Sequence, residues 1–225
     1  MVCVGIGFYS QQVLVDALPL ARGFDRVDVS AASSLFFLLT GLVGFLIGPL
    51  IDRAGARVFI FFGALIQAIA LTWIGQINSA GWLPVTFALL AFGFALSTSV
   101  PTGALITRWF IARRAFATTL SQTGVSIGGA IMIPLATYWI WEHGLEWTTS
   151  QLAITIAIVT LPIVIFVLRW DPLDYGLEPD GSIELAQNNS LLSMESQRRE
   201  WTRSEALRTG AFWRLSAAFG FGLAA

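Results

Sequence analysis

Five stretches of about 20 or more apolar residues, none interrupted by a charge, constrain this chain more than any other feature. They cover residues 30–51, 58–77, 82–107, 115–141 and 147–168, each bounded by charged or polar residues. A bilayer core of roughly 30 Å takes about 20 apolar residues per helical span, and a soluble core does not repeat that pattern. With 56% hydrophobic and 12% charged residues and a mean hydropathy of +0.72, too little polar surface remains to coat a soluble globule of 225 residues. Backbone facing lipid must pair internally, and these stretches lack the period-two alternation of barrel strands. The expected fold class is therefore all-α and integral to the membrane.

Residues 1–20 form a further apolar run without the basic n-region or small-residue cleavage site of a signal peptide, and are expected to be a first helix whose start can lie upstream. The run from residue 211 stops at 225, too short to span, and reads as the severed start of a seventh helix. The expected organisation is a six-helix bundle over 1–169, a cytoplasmic linker with a short juxtamembrane helix over 170–210, and the opening of the seventh helix over 211–225.

Orientation follows from the arginines, since the chain holds no lysine and 13 arginines. Alternating the spans puts Arg53, Arg57, Arg108, Arg113, Arg114, Arg169, Arg198, Arg199, Arg203, Arg208 and Arg214 on one side, and Arg22 and Arg26 on the other. Basic loops resist translocation, so the eleven-arginine side is expected to be cytoplasmic, with the N-terminus and the 170–210 linker. In that linker Asp171, Asp174, Glu178, Asp180 and Glu184 replace apolar periodicity, and Thr202 and Glu205 have capping-box spacing ahead of a short helix from Arg203. Asn188, Asn189 and Ser190 fit a glycosylation acceptor but fall on the cytoplasmic side, so no glycan is expected.

The turn after the second span reads Gly48, Pro49, Leu50, Ile51, Asp52, Arg53, Ala54, Gly55, Ala56, Arg57. Gly48 allows close helix approach and Gly55 a tight turn. Asp52 suits a positive helix N-terminus, while the arginines suit carboxylates or carbonyl ends. This Gly-x-x-x-Asp-Arg-x-Gly-x-Arg pattern resembles the signature loop of the major facilitator superfamily between its second and third helices, and all five fixed positions match. Trp109, Phe110, Arg113, Arg114, Ala117, Gly124 and Gly128 resemble the pattern around the fifth helix in monocarboxylate-porter and oxalate/formate-antiporter-like members. Asp174, Gly176, Leu177, Pro179, Asp180 and Gly181 resemble the linker after the sixth helix of that group, and Ala211, Phe212 and Trp213 the opening of the seventh. The chain departs from that pattern at Phe116 to Leu120, and its first helix lacks the lysine that some members use to bind a carboxylate. The resemblance implies half of a twelve-helix fold whose two six-helix halves rock about a central solute site.

Polar side chains that cannot face lipid cheaply are the candidates for a solute or proton path. Tyr9, Gln12 and Asp16 fall at i, i+3 and i+7 and share a helix face. Asp16 is the one carboxylate inside a span, suited to proton coupling or a cationic group, unless its nearness to Leu20 places it in the solvated interface. Thr98 and Thr102 flank Pro101, which can break the helix and free a carbonyl; Thr119, Gln122 and Ser126 form a similar stripe. Both sets suit either a cavity lining or bonds to a neighbouring helix. Gly41, Gly44 and Gly48, like Gly124 and Gly128, sit at helix-packing spacing, which serves a fixed bundle and a sliding interface alike.

The single cysteine, Cys3, excludes an internal disulfide framework, and the lone His143 reads as solvated between Glu142 and Glu146. No metal cluster, nucleophile elbow, phosphate loop or paired intramembrane carboxylate is present, so neither an enzyme nor a cofactor is expected, nor a nucleic-acid partner. The expected function is secondary active transport, as symport or antiport, of a small organic solute such as a monocarboxylate by alternating access in the cell membrane. A coupled proton and a second six-helix half are the expected partners, and Gly48, Asp52, Arg53, Gly55, Arg57, Arg113 and Arg114 the gating residues. The competing expectation is a truncated, non-transporting fragment or a half-bundle acting as an interaction partner.

Overall fold

The computed structural model describes residues 2–172, 176, 180, 208–211, 213 and 214, with side chains from Gly5 onward. It comprises two compact units, Met1–Ser182 and Ile183–Ala225. Among the described residues the first holds seven α-helices: α1 (Val2–Arg22), α2 (Arg26–Ala54), α3 (Ala56–Gln76), α4 (Leu83–Ser97), α5 (Ser99–Trp109), α6 (Arg114–His143) and α7 (Leu145–Pro162). A 3-10 turn precedes α4 and a π-turn, Ile163–Val167, continues α7. Among the described residues five helical segments are long and apolar enough to cross a membrane; they contain three of the expected stretches whole and the other two except for their last residues, Ile77 and Leu168. α1 matches α3 in length but carries Ser10, Gln11, Gln12 and Asp16. Among the described residues no strand forms, and the one bridge pairs Phe110 with Asp180.

The fourth span, expected as one stretch, divides into α4 and α5 at Thr98, whose φ of −117° and ψ of −113° leave the helical region. Pro101 is the cause: it has no N–H for the Ser97 carbonyl four residues back. The hydroxyls around the break bond backward instead, Ser97 Oγ to the Gly93 carbonyl at 2.8 Å and Thr98 Oγ1 to that of Phe94 at 2.6 Å.

Lipid tails are as apolar as leucine, so close backbone packing rather than water exclusion must hold such helices together. α3 and α4 provide it. A methyl group built on Gly93 would lie 2.6 Å from the Gln67 amide nitrogen and 2.9 Å from the Gly63 carbonyl oxygen, so no side chain fits in the seam. Around it Phe36, Leu71, Ile74, Leu83, Phe87, Leu90 and Ile156 are fully buried. α7 packs on α3, α2 on α4, and α1 on α6. By contrast α6 buries only Gly129 and Ala136 along its 30 residues.

The tight α6–α7 turn is made by Gly144, φ +85°, whose N–H bonds the Ile140 carbonyl at 3.0 Å. At the same end Arg22 closes α1 onto α3 and α7. It donates to Asn78 Oδ1 at 2.6 Å and to the Gly75 carbonyl at 2.5 Å, and lies 3.8 Å from Glu146. In the second unit Arg208, Gly210, Ala211, Trp213 and Arg214 are helical. Most of the 170–210 linker, including Thr202, Glu205 and the Asn188, Asn189, Ser190 triplet, lies outside the described residues, as does Phe212.

Candidate functional site

α1 and α6 touch at one end and part toward the other. Gly5 and Gly128 bring the backbones together, a methyl group on Gly128 falling 3.3 Å from the Gly5 Cα, and the Tyr9 ring lies against Gly129 one turn on. Beyond that contact a cleft of about 640 Å³ opens, a size that suits a small organic molecule. Its walls are Gln12, Val13, Asp16, Ala17, Leu20 and Ala21 from α1 and Ile133, Thr137, Ile140 and Trp141 from α6. Gln12 and Asp16 are exposed in it, as their shared helix face implies, and no basic residue among those described lines it. Thr137, which the sequence reading passed over, supplies the facing hydroxyl, bonded to its own Ile133 carbonyl at 2.8 Å.

The remaining path candidates do not join that cleft. Thr98 is buried and back-bonded. Thr102 lines a separate cavity of about 500 Å³ toward the arginine-rich end, with Ser97, Ser121 and Thr160 among mostly apolar neighbours. Thr119, Gln122 and Ser126 are exposed on α6, where Thr119 bonds the Ala115 carbonyl at 2.9 Å. None of the three lines either of these two cavities.

The buried polar residues of α1 and α3 are ones the sequence reading did not select. Gln11, one position from Gln12 and hence about 100° around the helix, turns into the bundle, where its Nε2 donates to Ser33 Oγ of α2. Its Oε1 and the Ser10 hydroxyl are buried with no hydrogen-bond partner among the described residues. Gln67 is completely buried between Gly7 of α1 and Ser97 of α4. Glutamine inside an apolar run was the available signal, but only the neighbouring helix reveals which glutamine is enclosed.

At the arginine-rich end the signature turn divides its labour. Gly55 is buried at φ +81° and ψ 144°, and its N–H bonds the Ile51 carbonyl at 2.8 Å. A methyl group there would meet the Trp170 indole at 3.2 Å, so this turn needs glycine for both conformation and space. Arg57 reaches α7: Nε donates to the Val164 carbonyl at 3.0 Å and Nη2 to that of Ile165 at 2.5 Å. The π-turn exposes those carbonyls, so the expected pairing of arginine with carbonyl ends is realised by Arg57.

Asp52 and Arg53 are exposed and bond no described residue. Asp52 does not cap α3, which starts without a side-chain cap. Gly48 and Gly41 have nothing within 4 Å of a built methyl group, because their face of α2 points away from the unit, while Gly44 meets Val100 at 3.5 Å. The close approach expected at Gly48 and Gly41 is absent here, and the seam that needs glycine is Gly63 against Gly93.

Trp170 is sandwiched between Gly55 and Arg108, whose guanidinium carbon lies 4.2 Å above the ring and whose Nη1 meets Asp171 Oδ2 at 3.0 Å. Arg113 and Arg114 are exposed, and Arg114 Nη2 reaches the Thr107 carbonyl at 3.4 Å. His143 stacks on Trp147 at 4.3 Å while remaining exposed. Among the described residues no group of three or more histidine, cysteine, aspartate or glutamate side chains can hold a metal ion.

Known proteins resemble this chain along most of its length. It is 27% identical over 172 residues to the MFS-type transporter YcxA of Bacillus subtilis, covering 75% of this chain and 42% of that protein. Monocarboxylate transporter 14 of Homo sapiens is 28% identical over 148 residues, 66% of this chain and 28% of the human protein. The membrane sensor protein UhpC of Salmonella typhimurium is 26% identical over 211 residues, 89% of this chain and 46% of that protein. The chain thus spans less than half the length of these relatives. The family model matches residues 1–225, and by that match, its signature turn and its helical bundle the chain belongs to the Major Facilitator Superfamily.

Proposed function

We propose that this chain is the first half of a secondary active transporter that moves a small organic solute, a monocarboxylate or similar anion, by alternating access. The observation that carries the reading is the α1–α6 cleft, solute-sized and walled on two sides. A second six-helix half would close it and provide the cation that an anion needs, since no basic residue among those described lines this side. The resemblance to monocarboxylate transporter 14 supports the substrate class.

Asp16 is then the group that takes up and releases a coupled proton. The gating residues, half-buried Gly48 and exposed Asp52, Arg53, Arg113 and Arg114, meet the second half when the inner side closes. Orientation follows the arginines, with the N-terminus and the 170–210 linker on the cytoplasmic face of the cell membrane.

Uptake of radiolabelled lactate into proteoliposomes of the full-length protein, driven by an inward proton gradient, tests the reading. Wild type is expected to accumulate lactate and Asp16→Asn to lose the pH dependence; pH-dependent uptake surviving in that variant removes Asp16 as the proton carrier. The resemblance to a membrane sensor protein supports a second reading, solute binding that signals rather than transports. Lactate binding without accumulation would favour it.

A further inference from the structure

The turn that joins α5 to α6 converges on one residue far along the chain. Three consecutive backbone N–H groups point at Asp180: Ile111 donates to Oδ1 at 2.5 Å, Ala112 to the main-chain carbonyl at 3.3 Å, and Arg113 to Oδ2 at 3.0 Å. Asp180 returns its own N–H to the Trp109 carbonyl at 3.3 Å. These donors lie just ahead of the first turn of α6, where the helix dipole also favours a negative group.

The same segment is fixed upstream. Trp109 Nε1 donates to the Arg169 carbonyl at 3.2 Å, Arg108 pairs with Asp171 at 3.0 Å, and Trp170 fills the space over Gly55. Arg57 holds the π-turn immediately before it. The α2–α3 turn, the α5–α6 turn and the end of α7 are thereby joined through residues 169–171 and 180.

We infer that Asp180 is a positioning residue: by gripping the backbone of 111–113 it fixes the direction of Arg113 and Arg114, and the segment after α7 clasps the arginine-rich end into one body. The functional part rests on the transport reading, because the two arginines matter there as contacts to the second half. The grip requires a carboxylate. Asparagine has the same shape but offers one acceptor oxygen, and its NH2 would face an N–H donor.

The test combines amide hydrogen exchange with uptake, using the full-length protein and radiolabelled lactate as the solute probe. In Asp180→Asn and Asp180→Ala, exchange across 111–113 is expected to quicken by about 10- to 100-fold, the consequence of losing a charge-assisted bond. Asp180→Glu, which keeps both acceptors, is expected to restore most of the protection. Glu142→Gln, a carboxylate change at the other end of α6, is expected to leave exchange at 111–113 unchanged.

The maximal uptake velocity of Asp180→Asn is expected to fall while KM stays near wild type, because the cleft residues are untouched. Wild-type protection in both Asp180→Asn and Asp180→Ala would overturn the clasp. Loosened amides with undiminished velocity would overturn the positioning role. Exchange needs no solute, so a wild type that moves no lactate would remove the transport reading while the exchange rates still decide the clasp.

Discussion

Replacing Gly93 by alanine tests whether the α3–α4 seam holds this half together. The added methyl group would sit 2.6 Å from the Gln67 amide nitrogen, 2.9 Å from the Gly63 carbonyl oxygen and 3.0 Å from the Gln67 Cα, where ordinary contact begins near 3.4 Å. All three neighbours are backbone, so none can swing aside, and the helices must part by about 0.8 Å. A gap of that order forfeits about a quarter to a half of each dispersion contact along the crossing, and forced overpacking costs about 1–3 kcal/mol. Alanine's better helix propensity returns roughly 0.5–1 kcal/mol. At the middle of both ranges the net loss is about 1 kcal/mol, which at about 2–4 °C per kcal/mol lowers the melting temperature by about 2–4 °C.

Thermal unfolding in detergent, followed by intrinsic fluorescence of the chain's 9 tryptophans, reads that shift. Gly41→Ala is the matched control, since nothing lies within 4 Å of its methyl group, and it should melt at or slightly above wild type. If Gly93→Ala melts no lower than wild type, or if Gly41→Ala falls as far, backbone contact at Gly63 and Gly93 is not what holds α3 to α4.

Gly55→Ala forces a residue with a Cβ into a glycine-only backbone region and against Trp170; a loss of about 1–3 kcal/mol is expected in the same melting experiment. Arg57→Lys replaces a fork that spans the Val164 and Ile165 carbonyls with a single ammonium; about 1 kcal/mol of stability should go with it, and an unchanged melt would show that the fork geometry is immaterial. Asp52→Asn leaves the described bonds of this half intact, so it should melt like wild type yet slow lactate uptake; full uptake would take Asp52 out of gating.

The spans were legible because lipid imposes one demand on every residue of a segment, and no tertiary detail is needed to read it. The break at Thr98 was legible for the same local reason, a proline that leaves a carbonyl without its donor. Face assignments were legible within a helix but not between helices. The i, i+3, i+7 spacing put Tyr9, Gln12 and Asp16 together, and the cleft receives Gln12 and Asp16 while Tyr9 packs on Gly129. Nothing in α1 alone says that Gln11 meets Ser33 or that α6 provides Thr137. Glycine spacing alone did not say which glycines close a seam within this unit: Gly41 and Gly48 lie on the outward face of α2, and Gly63 and Gly93 meet. Asp180 was visible as a linker residue, whereas its bonds to 111–113 depend on a chain reversal across α6 and α7.

Where the polar bonds fall also bears on how this half can move. Arg57 and Asp180 tie the arginine-rich end, and Arg22 ties α1 to α3 and α7 at the other. The α1–α6 cleft differs: none of Gln12, Asp16 and Thr137 bonds across it, and the seam below it is closed by contact between Gly5 and Gly128 and between Tyr9 and Gly129. Dispersion contacts yield gradually with distance, while a charged hydrogen bond is lost nearly at once when its geometry fails. A change in cleft width therefore breaks none of the bonds that hold the two ends. Among the described residues no polar bond spans the α1–α6 cleft, so a change in its width is opposed there by dispersion contacts, and Asp16 stands on its wall.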